Sequence, residues 1–242
     1  MSGTVELLAS RNLTTLEASP HLWLISVCRN SCGFCQSLTP RWERVAQSLR
    51  NEVHVAYWDA DQSVTPPALL GEITSTPTIR AVLRSPGGPQ QAIDYPGNRE
   101  PADLARFARA QMPDLVVRVE EETAWTELAE RAARERLPRA LVFTSRTRGS
   151  ATPPLLKRLS AEFGARLLLS EVRPGAHPYL AALHGNLSAR TALPDMLSLP
   201  WAEAEHETPA PTPFQWSHAP TYSRLHEFLE SVAVPQALDD VV

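Results

Sequence analysis

Lysine is almost missing from this 242-residue chain: Lys157 is the only one, and the remaining basic charge is arginine. No function follows from that skew. An excess of basic charge is missing too. The formal net charge is −4, which leaves no electrostatic footprint for nucleic acid or an anionic membrane. No apolar run approaches the ~20 residues that a membrane-crossing helix needs. Cysteine is scarce, and the three present, Cys28, Cys32 and Cys35, fall within eight residues of one another. That excludes the even, spread-out pattern of a disulfide-stapled scaffold. It also argues against structural zinc, which needs four ligands, usually as two spaced pairs, and the seven histidines are scattered. For an iron–sulfur centre shared between chains, Cys28 is the only additional thiolate. The sequence thus implies neither a metal nor a dissociable cofactor.

Both ends lack familiar targeting signals. "MSGTVELL" has no charged segment followed by an apolar one, and "LDDVV" is not a retention signal. The expectation is a cytosolic protein or a mature segment of something longer. Two glycosylation sequons, Asn12-Leu13-Thr14 and Asn186-Leu187-Ser188, are compatible with a secretory compartment.

What is present is an α/β pattern, 43% apolar and 21% charged as in ordinary globular proteins. "VELL" and "HLWLISVC" read as strands, the second apolar enough to be central and covered on both faces. A helix is predicted from about Gly33 to Leu49, with Leu38, Trp42, Val45, Ala46 and Leu49 at helical spacing. "VHVAYWDA" is a strand, and "PPALLGEI" a short helix opened by two prolines. "TIRAVLR" and "QAIDYP" form an antiparallel hairpin, and "EPADLARFARAQ" closes the unit. The order is β-α-β-α-β-α-β-β-α, parallel crossovers followed by an antiparallel pair.

Met112-Pro113-Asp114 breaks the last helix, so domains are predicted at 1–113 and 114–242. The second half repeats the layout without repeating any residue motif. "LVVRV", "RALVFTS", "ARLLLSEV", "LPDMLSLPW" and "PFQWSH" are its strands. "AWTELAERAARERL", "PPLLKRLSAEFG", "HPYLAALHG" and "TYSRLHEFLESVA" are its helices. The fold class expected is two tandem domains, each a central mixed sheet flanked by helices.

The chemistry centres on "NSCGFCQ", at the junction between the second strand and its helix. Cysteines three apart on a helix sit on one face, near enough for a disulfide after a small adjustment. The first lies where free backbone N–H groups and the helix dipole favour an anion, so it should supply thiolate. Cys32 is then the exposed attacking sulfur and Cys35 the buried resolving one. The reaction passes through a mixed disulfide on Cys32, which Cys35 displaces. Cys28 is expected to be a small core residue.

These residues carry a family resemblance. The Cys-x-x-Cys, Pro40 five residues on, Asp59-Ala60-Asp61, Thr76-Pro77-Thr78 and the Tyr95…Arg99 stretch resemble a thioredoxin-type catalytic domain of the protein disulfide isomerase family. The likeness covers roughly residues 4–112. The second half resembles the redox-inactive thioredoxin-like (b-type) domain that follows a catalytic one in some members. The resemblance implies that Pro77 is a cis-proline facing the dithiol. Thr76 would then hold an extended peptide, with Gly33 and Phe34 beside it, and Arg99 would ease proton release from Cys35. It implies cysteine-containing protein substrates, other redox or chaperone proteins as partners, and the endoplasmic reticulum lumen, with the cytoplasm as the alternative.

Departures from the family pattern accompany these matches. Ser31 stands for the usual tryptophan, Phe34 for a histidine, Gln36 for a lysine, and Ser26 for the buried acid that takes the proton from Cys35. A more reducing potential and slower turnover than an efficient oxidase follow as expectations. A second reading stays open, a peptide-binding or chaperone module with a silent dithiol. In the second half the segment at the dithiol position, "TSRTRGSATPP", has no cysteine. Pro194 is its candidate cis-proline, and Phe214, Trp216 and Tyr222 are read as core.

Overall fold

The computed structural model describes residues 3–9, 12–61, 68–84, 88–182, 196–200, 212–214 and 221–236. The chain divides into two compact units, Met1–Pro113 and Asp114–Val242. In the first, the elements are β1 (Glu6–Leu8), α1 (Leu13–Ala18), β2 (Trp23–Cys28), α2 (Gly33–Ser48), β3 (His54–Asp59), β4 (Thr78–Arg84), β5 (Gln90–Asp94) and α3 (Pro101–Gln111). The sheet runs β1-β3-β2-β4-β5. β1, β3 and β2 are parallel, and β4 and β5 are added antiparallel.

All six residues of β2 are buried, as its apolar run predicts for a central strand. Alternation along a strand then decides which face each residue serves. Trp23, Ile25 and Val27 pack with Leu8, Leu16, Trp58 and Leu70 on one side. Leu24 and Cys28 point the other way, into the core made with Leu38, Trp42 and Val45 of α2 and Leu104 and Ala108 of α3. Burying each such aliphatic or aromatic side chain contributes about 1.5–3 kcal/mol before chain entropy is charged. Arg109 of α3 reaches back to Glu52 (2.6 Å) and to the Ser48 carbonyl (2.9 Å), fixing the end of α2.

The short helix expected in "PPALLGEI" is present among the described residues as a single 3₁₀ turn, Ala68–Leu70, which Gly71 at φ +63° ends by carrying the chain into the left-handed region. Pro66 and Pro67 lie outside the described residues.

The second unit contains β6 (Val117–Val119), α4 (Glu122–Glu135), β7 (Arg139–Phe143), α5 (Pro154–Phe163), β8 (Leu168–Val172), β9 (Met196–Leu199), β10 (Thr212–Phe214) and α6 (Tyr222–Val232). Residues 178–182 are helical. Its sheet runs β10-β9-β7-β8-β6, with β6, β8 and β7 parallel and β9 and β10 antiparallel. Strand for strand, this is the pattern of the first unit. α5 and α6 cover one face through Leu159, Phe163 and Leu229, and α4 covers the other through Leu128 and Ala132. Both units are mixed sheets flanked by helices, the α/β class expected from the sequence. Phe214 and Tyr222 pack against the α5–α6 core, whereas Pro194 and Trp216 lie outside the described residues. Among the described residues no helix is long and apolar enough to cross a membrane.

Candidate active site

β2 ends at Cys28, and four residues later α2 begins, with Cys32 as its N-cap in extended conformation. The intervening turn is tied down at several points. The Cys32 N–H donates to the Arg29 carbonyl (3.1 Å), and the Asn30 N–H donates to Asp61 Oδ2 (2.9 Å). Asn30 Nδ2 donates to Asp59 Oδ2 (3.2 Å), and Gln36 Nε2 to the Asn30 carbonyl (2.9 Å). Asp59 and Asp61 therefore anchor the turn that carries the dithiol, through the parallel pairing that sets Cys28 opposite Asp59. Asn30 and Gln36 belong to this scaffold, a role their sequence positions did not reveal.

Cys32 is partly exposed, whereas Cys35 is 5% exposed and faces the core. The neutral Cys32 thiol donates to the Thr76 carbonyl at 3.5 Å. Its pKa is lowered, first by the backbone N–H of Cys35, then by the Thr76 side chain, the Cys35 thiol and the backbone N–H of Phe34, against a smaller opposing effect of burial. Cys35 is pushed up to about 12, chiefly by burial and next by its hydrogen bond to Cys28; the Arg29 backbone opposes and the Cys32 thiol adds. One helix turn thus holds a ready nucleophile and a thiol kept protonated.

Thr76-Pro77 is a cis peptide, and it lies directly against Cys32. Arg99 donates from Nη2 to the Pro77 carbonyl at 3.3 Å. It therefore touches the proline turn, and the groups that set the Cys35 pKa are the burial and neighbours just named. Phe34 is 73% exposed, the most exposed large apolar side chain described. Gly33 opens α2, and a Cβ there would meet nothing within 4 Å. Gly33, Phe34 and the Thr76–Pro77 turn thus adjoin the partly exposed Cys32, Arg99 is held at that turn, and Cys35 is buried.

Ser26 is 1% exposed, and its Oγ lies 3.4 Å from Cys28 Sγ. Tyr57, its register partner on β3, is held near a pKa of 12 by burial first and then by Asp59, Cys28, Cys35 and Asp61. Ser26, Cys28, Cys35 and Tyr57 border a cavity of about 340 Å³.

Comparison with known proteins agrees with this geometry. Residues 5–110 match the thioredoxin family. The chain is 40% identical over 85 residues to protein disulfide-isomerase like 2-2 of Arabidopsis thaliana, covering 35% of this chain and 18% of that protein. It is 35% identical over 115 residues to protein disulfide-isomerase 2-3 of the same plant, covering 48% and 25%. It is 28% identical over 156 residues to a putative protein disulfide-isomerase of Dictyostelium discoideum, covering 62% and 36%. That last match is longer than the first unit. The chain spans between 18% and 36% of the length of these relatives.

Proposed function

We propose that the chain is a thioredoxin-like protein of the protein disulfide isomerase family and that its first unit, residues 1–113, exchanges disulfides with cysteines of protein substrates through Cys32 and Cys35. The observation that carries the reading is the split between the two sulfurs. Cys32 is accessible and biased toward thiolate, and Cys35 is buried and held protonated.

Cys32 Sγ attacks a client disulfide, forming a mixed disulfide and releasing one client thiolate. Cys35, once deprotonated, attacks Cys32 Sγ, closes the Cys32–Cys35 disulfide and releases the second client thiolate. Two electrons pass from the dithiol to the client, and the reverse sequence oxidises a client. Thr76 and the cis-proline hold the client's extended backbone against Cys32. Phe34 offers an apolar contact, and the open space at Gly33 admits the client chain. Arg99 holds the proline turn in place through the Pro77 carbonyl. The second unit, 114–242, is a redox-inactive domain, since it contains no cysteine. The compartment that suits this chemistry is an oxidising one, the endoplasmic reticulum lumen, with other thiol proteins as electron partners.

Insulin-disulfide reduction with dithiothreitol as electron donor tests the reading. Wild type should reduce insulin well above the blank, and Cys32→Ser should fall to it. Equal, near-blank rates for both would leave a peptide-binding module with a silent dithiol.

A further inference from the structure

The exchange just described uses two of the three cysteines and leaves Cys28 without a task. Its neighbours are not those of an inert core cysteine. Alternation along β2 turns Cys28 to the same face as Ser26, beneath α2. There Cys28 and Cys35 belong to one buried cluster with Cys32 packed against it, and both Cys28 and Cys32 help to raise the Cys35 pKa. Cys28 and Cys35 also line the cavity of about 340 Å³, together with Ser26, Trp42, Tyr57 and Glu43. Glu43 and Leu7 at its rim are exposed, so the space reaches the surface. A cavity of this size gives the Cys28 side chain room to rotate, and room to rotate is what disulfide geometry demands of a close pair.

We propose that Cys28 is a third redox thiol, which attacks Cys35 in the oxidised site and moves the disulfide inward as Cys28–Cys35. The inference rests on the dithiol reading above. In this step the Cys28–Cys35 bond forms as the Cys32–Cys35 bond breaks, so one disulfide replaces another and no electrons are gained or lost. Cys28 gives up its proton through the cavity to solvent, and Cys32 departs as the thiolate. Lower-pKa thiols leave faster, and Cys32 is the sulfur whose pKa the site depresses. The oxidised domain then still presents a free nucleophile at its mouth. That form can open a client disulfide without first being reduced, as reshuffling of wrong disulfides requires.

The full chain with Cys32→Ser isolates the inner pair. It is treated with oxidised glutathione, its free thiols are alkylated, and the products are mapped by tryptic mass spectrometry. Arg29 separates Cys28 from Cys35, so trypsin leaves a Cys28–Cys35 bond joining two peptides. The expected result is loss of both alkylatable thiols with the joined peptides as the main product, while Cys28→Ser/Cys32→Ser stops at a glutathione adduct on Cys35. Persistence of that adduct or of two free thiols in Cys32→Ser, with a wild-type circular dichroism spectrum, overturns the proposal. Oxidised wild type gives a second measurement free of any folding defect. Joined peptides at a tenth or more of the oxidised protein support the relay, and their absence rejects it. The insulin assay keeps the two failures apart. An active wild type without joined peptides rejects only the inner disulfide, whereas an inactive wild type rejects the dithiol exchange itself.

Discussion

The two sheets have the same strand order and the same strand directions, yet they treat the same topological position in opposite ways. In the first unit the chain leaves β2 and enters α2 after a short turn, with a cysteine as the helix cap. In the second, the corresponding passage from β7 to α5 is Thr144–Pro153, and the cap is Pro153. The longer loop is clamped from below. Arg173, 2% exposed, donates to the carbonyls of Thr147 (2.7 Å) and Ser150 (2.6 Å) and pairs with Glu171 (3.0 Å) and Glu120 (2.7 Å). Glu171, fully buried, also accepts from Thr144 Oγ1 at 3.0 Å. One unit uses this corner to expose a sulfur, and the other fills it with ion pairs that hold a loop shut. The scaffold fixes where a site can be, and the side chains at that corner decide whether there is one.

The largest effect is expected where the second unit's clamp is broken. Arg173→Leu removes two loop tethers and leaves the Glu171 carboxylate buried without its main partner, which costs about 3–5 kcal/mol. The double change Arg173→Leu/Glu171→Leu should recover more than half of that, because no unpaired charge remains inside. Urea unfolding of the full chain reads both. Insulin reduction should stay within about twofold of wild type while the second unit is folded, since the dithiol belongs to the other unit. A single change costing under 1 kcal/mol would mean that the clamp is not what orders the loop.

The next effect tests the asymmetry of the two sulfurs in the first unit. Cys32 lies below the ordinary thiol value of 9.0 and Cys35 near 12. The thiolate populations at neutral pH therefore differ by at least about three decades, of which the lower nucleophilicity of the more acidic thiol gives back roughly half. Iodoacetamide at pH 7 should modify Cys32 at least tenfold faster than Cys35. As pH rises, the Cys32 rate should climb with its midpoint below 9, while the Cys35 rate is still rising beyond it. Two thiols that react at similar rates, with midpoints together, would remove the basis for assigning attack to one and resolution to the other.

A smaller effect concerns the anchor of the dithiol turn. Asp61→Ala deletes the acceptor for the Asn30 N–H and the carboxylate 4.0 Å from Arg29. An exposed hydrogen bond of this kind contributes about 1 kcal/mol. Insulin reduction should fall by a few-fold, more than that small loss of stability accounts for, because the turn aims Cys32 at the client. An unchanged rate would show that α2 alone positions the sulfur.

Much of this was legible in the sequence, for reasons particular residues make plain. The apolar run of β2 and the spacing of Leu38, Trp42 and Val45 in α2 state one face each, so strand, helix and their packing follow directly. The junction between them placed the dithiol. The short helix in "PPALLGEI" was legible from its prolines but its length was not, since Gly71 ends the turn through its φ. The roles of Asn30 and Asp61 depend on a register between β2 and β3 that no local pattern encodes. Cys28 is buried in the core as expected, and its spacing from Ser26 puts both on the face that Cys35 meets, since residues two apart on a strand share a face. Arg173 and Glu171 were missed for a similar reason. Glu171, inside β8, and Arg173, just after it, give a polar end to an apolar strand, and only tertiary packing buries them.

The smallest expected effect separates folding from client access at the first residue of α2. Gly33 keeps an ordinary backbone conformation, and a Cβ there meets nothing within 4 Å, so the fold does not require glycine. Alanine loses less backbone entropy on folding and is favoured in helices by at most about 1 kcal/mol, less in a first turn. Gly33→Ala should therefore leave thermal stability unchanged or slightly raised. The added methyl, however, projects beside Cys32 into the space through which a client chain reaches the sulfur. Insulin reduction should drop several-fold, mainly through KM, while iodoacetamide, being small, still reacts with Cys32 at the wild-type rate. If the variant reduces insulin as fast as wild type, the client approaches from another side, and the role given to the Gly33–Phe34 edge falls with it.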